Sequence, residues 1–501
     1  MISQIHELLD QPGADPQRFL KPLALVAVAV CVCLVVLQGE LLAIGVLAAA
    51  AAALLIFVRP DLATLAFVFV LFSNAVVVAI RSHGVPSIAA AGVVLLLMWP
   101  LSHYLLIRRE PIVLPHVFWL VLLFTLIQLV SAAFSVHPDL AARNVIVSVA
   151  EGAVLFFLVT NVVRTPQMLR RTVWTLLTAG ALLGALGLFQ QLTQTHDSDY
   201  GGFAQIGSGV TVAVGHVQEA RPRLAGPIGV ENRYAHLMLL LVPLGLFEFL
   251  GRGNRWVRTA ALLATACVVV GITLTYSRSA SISLGVILAA MVALKYLRPR
   301  YIVAVGLAAV LMLAVFPQYA SRLSTIEQVR GLFFETTGTR VATTDSAIKG
   351  RANEALTAAF VFASRPLLGV GPGMFPYHYE DYRHRGGSGQ HSGRRMAHNL
   401  YLGIAAEQGL FGIACFLAIL YLTMRDLNTT RRRFANSDPQ ASMMAAAFLV
   451  AMISYMASGM FADFSYVRYF WMMLALANAS VLIANRSPAG ASRSVEASQP
   501  A

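Results

Sequence analysis

The residues able to do chemistry fall in four short stretches. The first is Arg221-Pro-Arg223-Leu-Ala-Gly-Pro-Ile-Gly-Val-Glu231-Asn232-Arg233, and the second is Thr275-Tyr276-Ser277-Arg278-Ser279. The third runs from Lys349-Gly-Arg351 to Pro366-Leu-Leu-Gly-Val-Gly371-Pro-Gly373, and the fourth from His398-Asn399-Leu-Tyr401 to Glu407-Gln-Gly409. Guanidinium forks bond phosphate oxygens in pairs. Glycines at 369, 371 and 373 let backbone N–H groups approach phosphate or sugar closely. A neutral imidazole at a helix start takes a proton from a hydroxyl. Together the set suits a sugar-bearing diphosphate held at a membrane face.

Each piece also has a plainer explanation. Arginines beside apolar segments snorkel to lipid phosphates, the glycine run makes a turn, and Asn399 caps a helix. Glu407 lies nine residues into an apolar segment, about 13 Å along a helix axis. A carboxylate there is either functional or half of a structural pair, and Glu151 is read as structural. His378, His384, His391 and His398 suggest a metal, but Arg383, Arg385, Arg394 and Arg395 among them oppose a cation. Neither a metal nor any other cofactor is expected.

These stretches must be positioned by an apolar scaffold. The chain has 501 residues, 57% apolar and only 12% charged, too few charges for a soluble surface. Apolar runs of span length recur throughout, and in lipid such runs must be helical. An all-α polytopic bundle of about 12–14 spans follows. Its fourteen candidates cover 23–37, 41–58, 62–80, 86–107, 115–134, 144–163, 173–192, 234–250, 260–275, 280–294, 301–316, 399–424, 441–461 and 469–485. Residues 1–192 form an N-terminal set of spans, 193–485 a catalytic region, and 486–501 a disordered cytoplasmic tail. No basic region precedes the first apolar run, so no cleaved signal peptide is expected. The four cysteines all lie in apolar runs and read as buried apolar groups.

Charge sets the orientation. With the N-terminus cytoplasmic, 20 of the 37 Lys and Arg residues fall in cytoplasmic segments, seven in the six shorter outward loops and ten in the longest loop. Long loops translocate regardless of charge, so the excess of +13 is largely topological and no nucleic-acid partner is implied. Both long connections, 193–233 and 317–397, then face outward and are expected to contain short helices. Within the second, Ile348, Ala352, Leu356 and Phe360 recur at helical spacing, as for a helix lying in the interface plane over 346–364.

In order and spacing these stretches resemble the bacterial O-antigen ligase and O-antigen polymerase superfamily, over residues 221–466. The pieces that carry the resemblance are Arg223-Leu-Ala-Gly…Glu231-Asn232, Tyr276-Ser-Arg278, Arg351 followed by Pro366-Leu-Leu-Gly-Val-Gly371, and above all His398-Asn399-Leu-Tyr401…Glu407-Gln-Gly409-Leu-Phe-Gly. The resemblance implies metal-independent transfer of a glycan from undecaprenyl diphosphate to an acceptor hydroxyl, at the periplasmic face of the inner membrane. It implies that Arg223 and Arg278 bind the diphosphate, that His398 activates the acceptor, and that Arg351 lies near the same pocket. Arg221, Asn232, Arg233, Gly371, Gly373, Asn399, Tyr401 and Glu407 are taken as substrate-binding residues around them.

Lipid A-core is the favoured acceptor, as for a ligase. A second lipid-linked repeat unit, as for a polymerase of O-antigen or exopolysaccharide, and a protein hydroxyl are alternatives. The chain departs from a twelve-span ligase in its extra N-terminal spans and in the Gly/His/Arg-rich stretch 383–395. A transporter or flippase would show repeats and ionisable groups at mid-membrane. Here no repeat is evident and the polar residues gather on one face.

Overall fold

The computed structural model describes residues 59–214, 217–298, 346–382, 394–463 and 467–486. The expected spans 23–37, 41–58 and 301–316, together with His384 and His391, lie outside the described residues. The chain divides into two compact units. In the first, residues 59–67 and 92–111 are described and are mostly helical. The second comprises 68–91 and the chain from 112 onward, and it holds every site residue discussed below.

The elements in order are α1 (Pro60–Phe72), α2 (Ala75–His83), α3 (Ala89–Ser102), a π-turn, α4 (Val117–Ala133), α5 (Pro138–Ser148), a second π-turn, α6 (Leu155–Val162) and α7 (Pro166–Thr193). Four short strands follow, β1 (Gln205–Ile206), β2 (Val210–Val214), β3 (Val217–Arg221) and β4 (Leu224–Gly226). Then come α8 (Glu231–Leu239), α9 (Leu241–Leu250), α10 (Arg255–Thr273), α11 (Arg278–Ala293), α12 (Ser346–Ser364), α13 (Phe375–Tyr382), α14 (Leu400–Arg433), α15 (Pro439–Gly459) and α16 (Val467–Arg486). Among the described residues six helices are long and apolar enough to cross a membrane. The expected spans that fall on described residues overlap helix, with 62–80 broken at Ser73-Asn74, where Asn74 is left-handed.

Local chemistry sets the helix ends. Thr165 accepts from the Met168 N–H at 3.1 Å with Pro166 at the first turn of α7, and Asp438 accepts from Ala441 N–H at 3.0 Å at the start of α15. Small residues let the helices approach: a Cβ on Gly184 would meet the Cys267 carbonyl oxygen at 2.1 Å, where α7 crosses α10. Glu151 pairs with Arg468 at 3.1 Å, which is the structural role read for it from sequence.

The first long connection holds strands where short helices were expected. β1 pairs with β4 and β2 with β3, both antiparallel. In the second, α12 forms over the expected residues but buries Glu354, Thr357, Ala358 and Val361. Of the apolar residues at helical spacing, Ala352 and Leu356 are exposed and Phe360 is half-buried.

Helix α14 is broken at Gly409, whose φ of 67° and ψ of −165° are not helical. The segment 366–373 docks into the break. Val370 N–H donates to Ala406 O at 3.0 Å, Gly371 N–H to Glu407 O at 2.9 Å, and Leu410 N–H to Pro366 O at 2.7 Å. The Ser131 hydroxyl on α4 donates to Leu368 O and is also within 2.9 Å of Glu407 O. A Cβ at Gly409 would lie 2.2 Å from the Leu367 carbonyl carbon, at a φ that side chains rarely adopt. Gly409→Ala is therefore expected to cost at least about 1–3 kcal/mol in thermal unfolding of the solubilised protein. Gly285→Ala, in helix with nothing within 4 Å of its Cβ, should be neutral or stabilising. Equal stability of the two variants would contradict the joint.

Candidate functional site

His398 stands just ahead of α14, presented by a left-handed backbone at φ 45°. The next residue, Asn399, caps the helix: its Oδ1 accepts from Tyr401 N–H and Leu402 N–H, both at 3.0 Å. The His398 ring is 39% exposed, and its Nε2 lies 3.8 Å from Oε2 of Glu354 on α12, longer than a hydrogen bond. Glu354 is only 2% exposed, and its other oxygen accepts from Arg395 at 2.8 Å. Oε2 has no hydrogen-bond partner among the described residues, so the carboxylate holds a free acceptor beside the imidazole.

Four other charged groups act on His398. Burial lowers its pKa below the usual 6.5, as do Arg351 and Arg233, while Glu354 and Asp463 oppose them. The balance favours the neutral imidazole. Burial leads, and the two cations come from α12 and α8. Arg233 donates to Asp463 at 2.9 Å, and both line a small cavity with His236, Tyr455 and Ser458. Arg351 is half-buried on the same helix as Glu354.

Arg223 and Arg278 meet through the turn between α10 and α11. The Arg223 guanidinium is 9% exposed and donates through Nε to Thr275 O at 2.8 Å and through a terminal nitrogen to Asn232 Oδ1 at 3.2 Å. It also lies 3.5 Å from Glu231. Leu224 N–H donates to Leu274 O at 3.0 Å, so strand β4 and its arginine together hold the turn. Arg278, half-buried, begins α11 directly after Tyr276 and Ser277.

Other candidates from sequence are engaged elsewhere. Gly373 N–H and Phe375 N–H donate to the Glu407 carboxylate at 2.8 and 3.3 Å, and Gly371 N–H goes to the Glu407 backbone. The glycine cradle thus holds the chain's own carboxylate. Tyr401 donates to Met456 O at 2.8 Å. Arg221 ends strand β3. What the structure brings together is His398, Arg233 and Arg351, with Glu354 and Asp463 added. Neither acid was singled out from sequence. Glu354 had one signal, its place three residues after Arg351 on a helical repeat, whereas Asp463 is a lone acid after a span.

The fold and site define a polytopic helical membrane protein with a cluster of titratable groups around His398, drawn from α8, α12 and the segment after α15. Residues 260–417 match the family model described as O-Antigen ligase, from α10 through the Arg278 turn, α12 and His398 into α14. This match supports the resemblance to the O-antigen ligase and polymerase superfamily that the motifs of the stretch carry. Arg223, Glu231–Arg233 and Asp463 lie outside the matched residues. No curated protein matches the chain.

The electrostatics are testable without substrate. In histidine-selective NMR of the protein in nanodiscs, His398 should titrate below 6.5. Glu354→Gln removes a charge that favours the imidazolium and should move the titration lower still. Arg351→Gln removes one that opposes it and should move it higher. The reverse order would contradict the cluster.

Proposed function

We propose that this protein transfers a glycan from undecaprenyl diphosphate to an acceptor hydroxyl at the periplasmic face of the inner membrane, as the ligase that joins O-antigen to lipid A-core. The family match supports glycosyl transfer in O-antigen assembly. The observation that carries the mechanism is a part-exposed His398 with its Nε2 3.8 Å from the buried Glu354 carboxylate, its pKa held down by burial and by Arg351 and Arg233.

With Nε2 turned to Glu354, Nδ1 is the nitrogen left to take the acceptor proton. The acceptor oxygen attacks the anomeric carbon, the bond from that carbon to the phosphate oxygen breaks, and undecaprenyl diphosphate leaves. Configuration inverts in this single displacement. Arg278, Arg351 and Arg233 stabilise the charge that develops on the leaving group. Glu354 orients the ring and stabilises its cationic form, a pairing that tightens once substrate is bound. Arg223 serves this chemistry by holding the Arg278 turn, because its guanidinium is already bonded to Thr275 and Asn232. The base and the cations are side chains, so the reaction needs neither metal nor nucleotide.

His398→Ala should lower turnover by about 10²–10⁴ while donor binding survives. Arg278→Lys should weaken donor binding, since an ammonium keeps the charge but loses the fork. Arg223→Lys should lower thermal stability together with activity. The assays are isothermal binding of undecaprenyl diphosphate and single-turnover transfer, run on each variant. Normal turnover by His398→Ala, or its failure through lost donor binding, would sink the base assignment.

A further inference from the structure

His236 lies on α8, buried, and its Nε2 is 3.0 Å from the Ser279 hydroxyl. Ser279 is in turn 3.1 Å from the Ser277 hydroxyl, and both serines are buried. These serines flank Arg278. Ser277 occupies the N-cap position of α11 yet makes no capping bond with its side chain; its hydroxyl instead meets that of Ser279, which in turn meets His236. The backbone ahead of it is left-handed at Tyr276, φ 50°. Such a conformation persists only where its surroundings hold it. Arg223 and Leu224 hold this turn at Thr275 and Leu274, and the His236 chain holds it from α8.

The other ring nitrogen of His236, Nδ1, is buried with no hydrogen-bond partner among the described residues. An unpaired buried nitrogen is destabilising, and a leucine would fill the place without one. A histidine here is explained by the bond it makes to Ser279.

We infer that His236 is a positioning residue for Arg278. Through Ser279 and Ser277 it fixes the start of α11, so that the Arg278 guanidinium meets the donor diphosphate without first having to be ordered. This rests on the assignment of Arg278 as a diphosphate ligand. The imidazole touches no substrate and exchanges no proton with it. Its requirement is a side chain on α8 that bonds the Ser279 hydroxyl, which glutamine also provides and leucine does not.

The test compares His236→Leu, His236→Gln, Ser279→Ala and the double variant His236→Leu/Ser279→Ala in nanodiscs. Binding of undecaprenyl diphosphate should weaken about tenfold or more in His236→Leu, since small misplacements of a binding group carry large penalties. It should be largely rescued in His236→Gln. Ser279→Ala should resemble His236→Leu, and the double variant should be no worse than the weaker single, because the two act in series. A merely structural histidine would lower the melting temperature and leave the affinity of the folded protein unchanged, with additive effects in the double variant. Either result overturns the inference.

A second measurement needs no donor. The rate at which phenylglyoxal modifies Arg278, read by peptide mass spectrometry, should rise in Ser279→Ala and in His236→Leu, and an unchanged rate counts against the proposal. If the unsubstituted protein fails to bind undecaprenyl diphosphate while Arg278 still becomes more reactive, the functional reading falls and the positioning role stands.

Discussion

The site depends on the joint at Gly409. Away from water every backbone N–H and C=O must find a partner inside the protein, so a helix in a membrane cannot break without a replacement. The break in α14 is filled by segment 366–373, whose N–H and C=O groups bond the chain on both sides of Gly409. The Glu407 carboxylate completes the joint by taking two further N–H groups, those of Gly373 and Phe375. Helix α12 runs into this joint from Glu354, and α14 runs into it from His398. Both are pinned at one point and packed along each other, which puts the buried carboxylate beside the imidazole.

Charge around the site is compensated locally. Arg223 is matched by Glu231, Arg233 by Asp463, and Arg395 by Glu354. Removing one member of such a set leaves the other exposed to a desolvation penalty, so these pairs hold the elements in register. The left-handed residues concentrate here too. Tyr276, His398, Gly371, Gly373 and Gly409 all have positive φ. Rigidity of this kind holds His398 and the arginines in place, which spares an ordering cost on binding.

The helices were legible because the length of an apolar run is itself the signal, and the long connections stood out for the same reason. His398 and the Arg278 turn were legible as motifs in a fixed order. The glycine cradle was misleading for a physical cause: an internal carboxylate and a substrate phosphate ask for the same N–H groups, and sequence does not say that Glu407 reaches them first. Arg223 is a similar case, a fork whose partners turn out to be Thr275 and Asn232. Glu354, Asp463 and His236 join the cluster through tertiary packing alone, from positions far apart in the chain. The strands of the first connection did leave a trace, since Val210-Thr-Val-Ala-Val followed by Gly215 is β-branched and then broken by glycine.

On the proposed reading, the residues around His398 cleave a lipid diphosphate–sugar bond and pass the glycan to a hydroxyl. The most direct measurement uses the purified protein in liposomes, with an undecaprenyl-diphosphate glycan and lipid A-core, in buffer containing chelator and no nucleotide. Released undecaprenyl diphosphate and glycosylated acceptor are counted in the same sample. Both should appear, one for one, with the anomeric configuration inverted. Donor that crosses the bilayer uncleaved, or transfer that stops with chelator and resumes on adding a divalent ion, would contradict it.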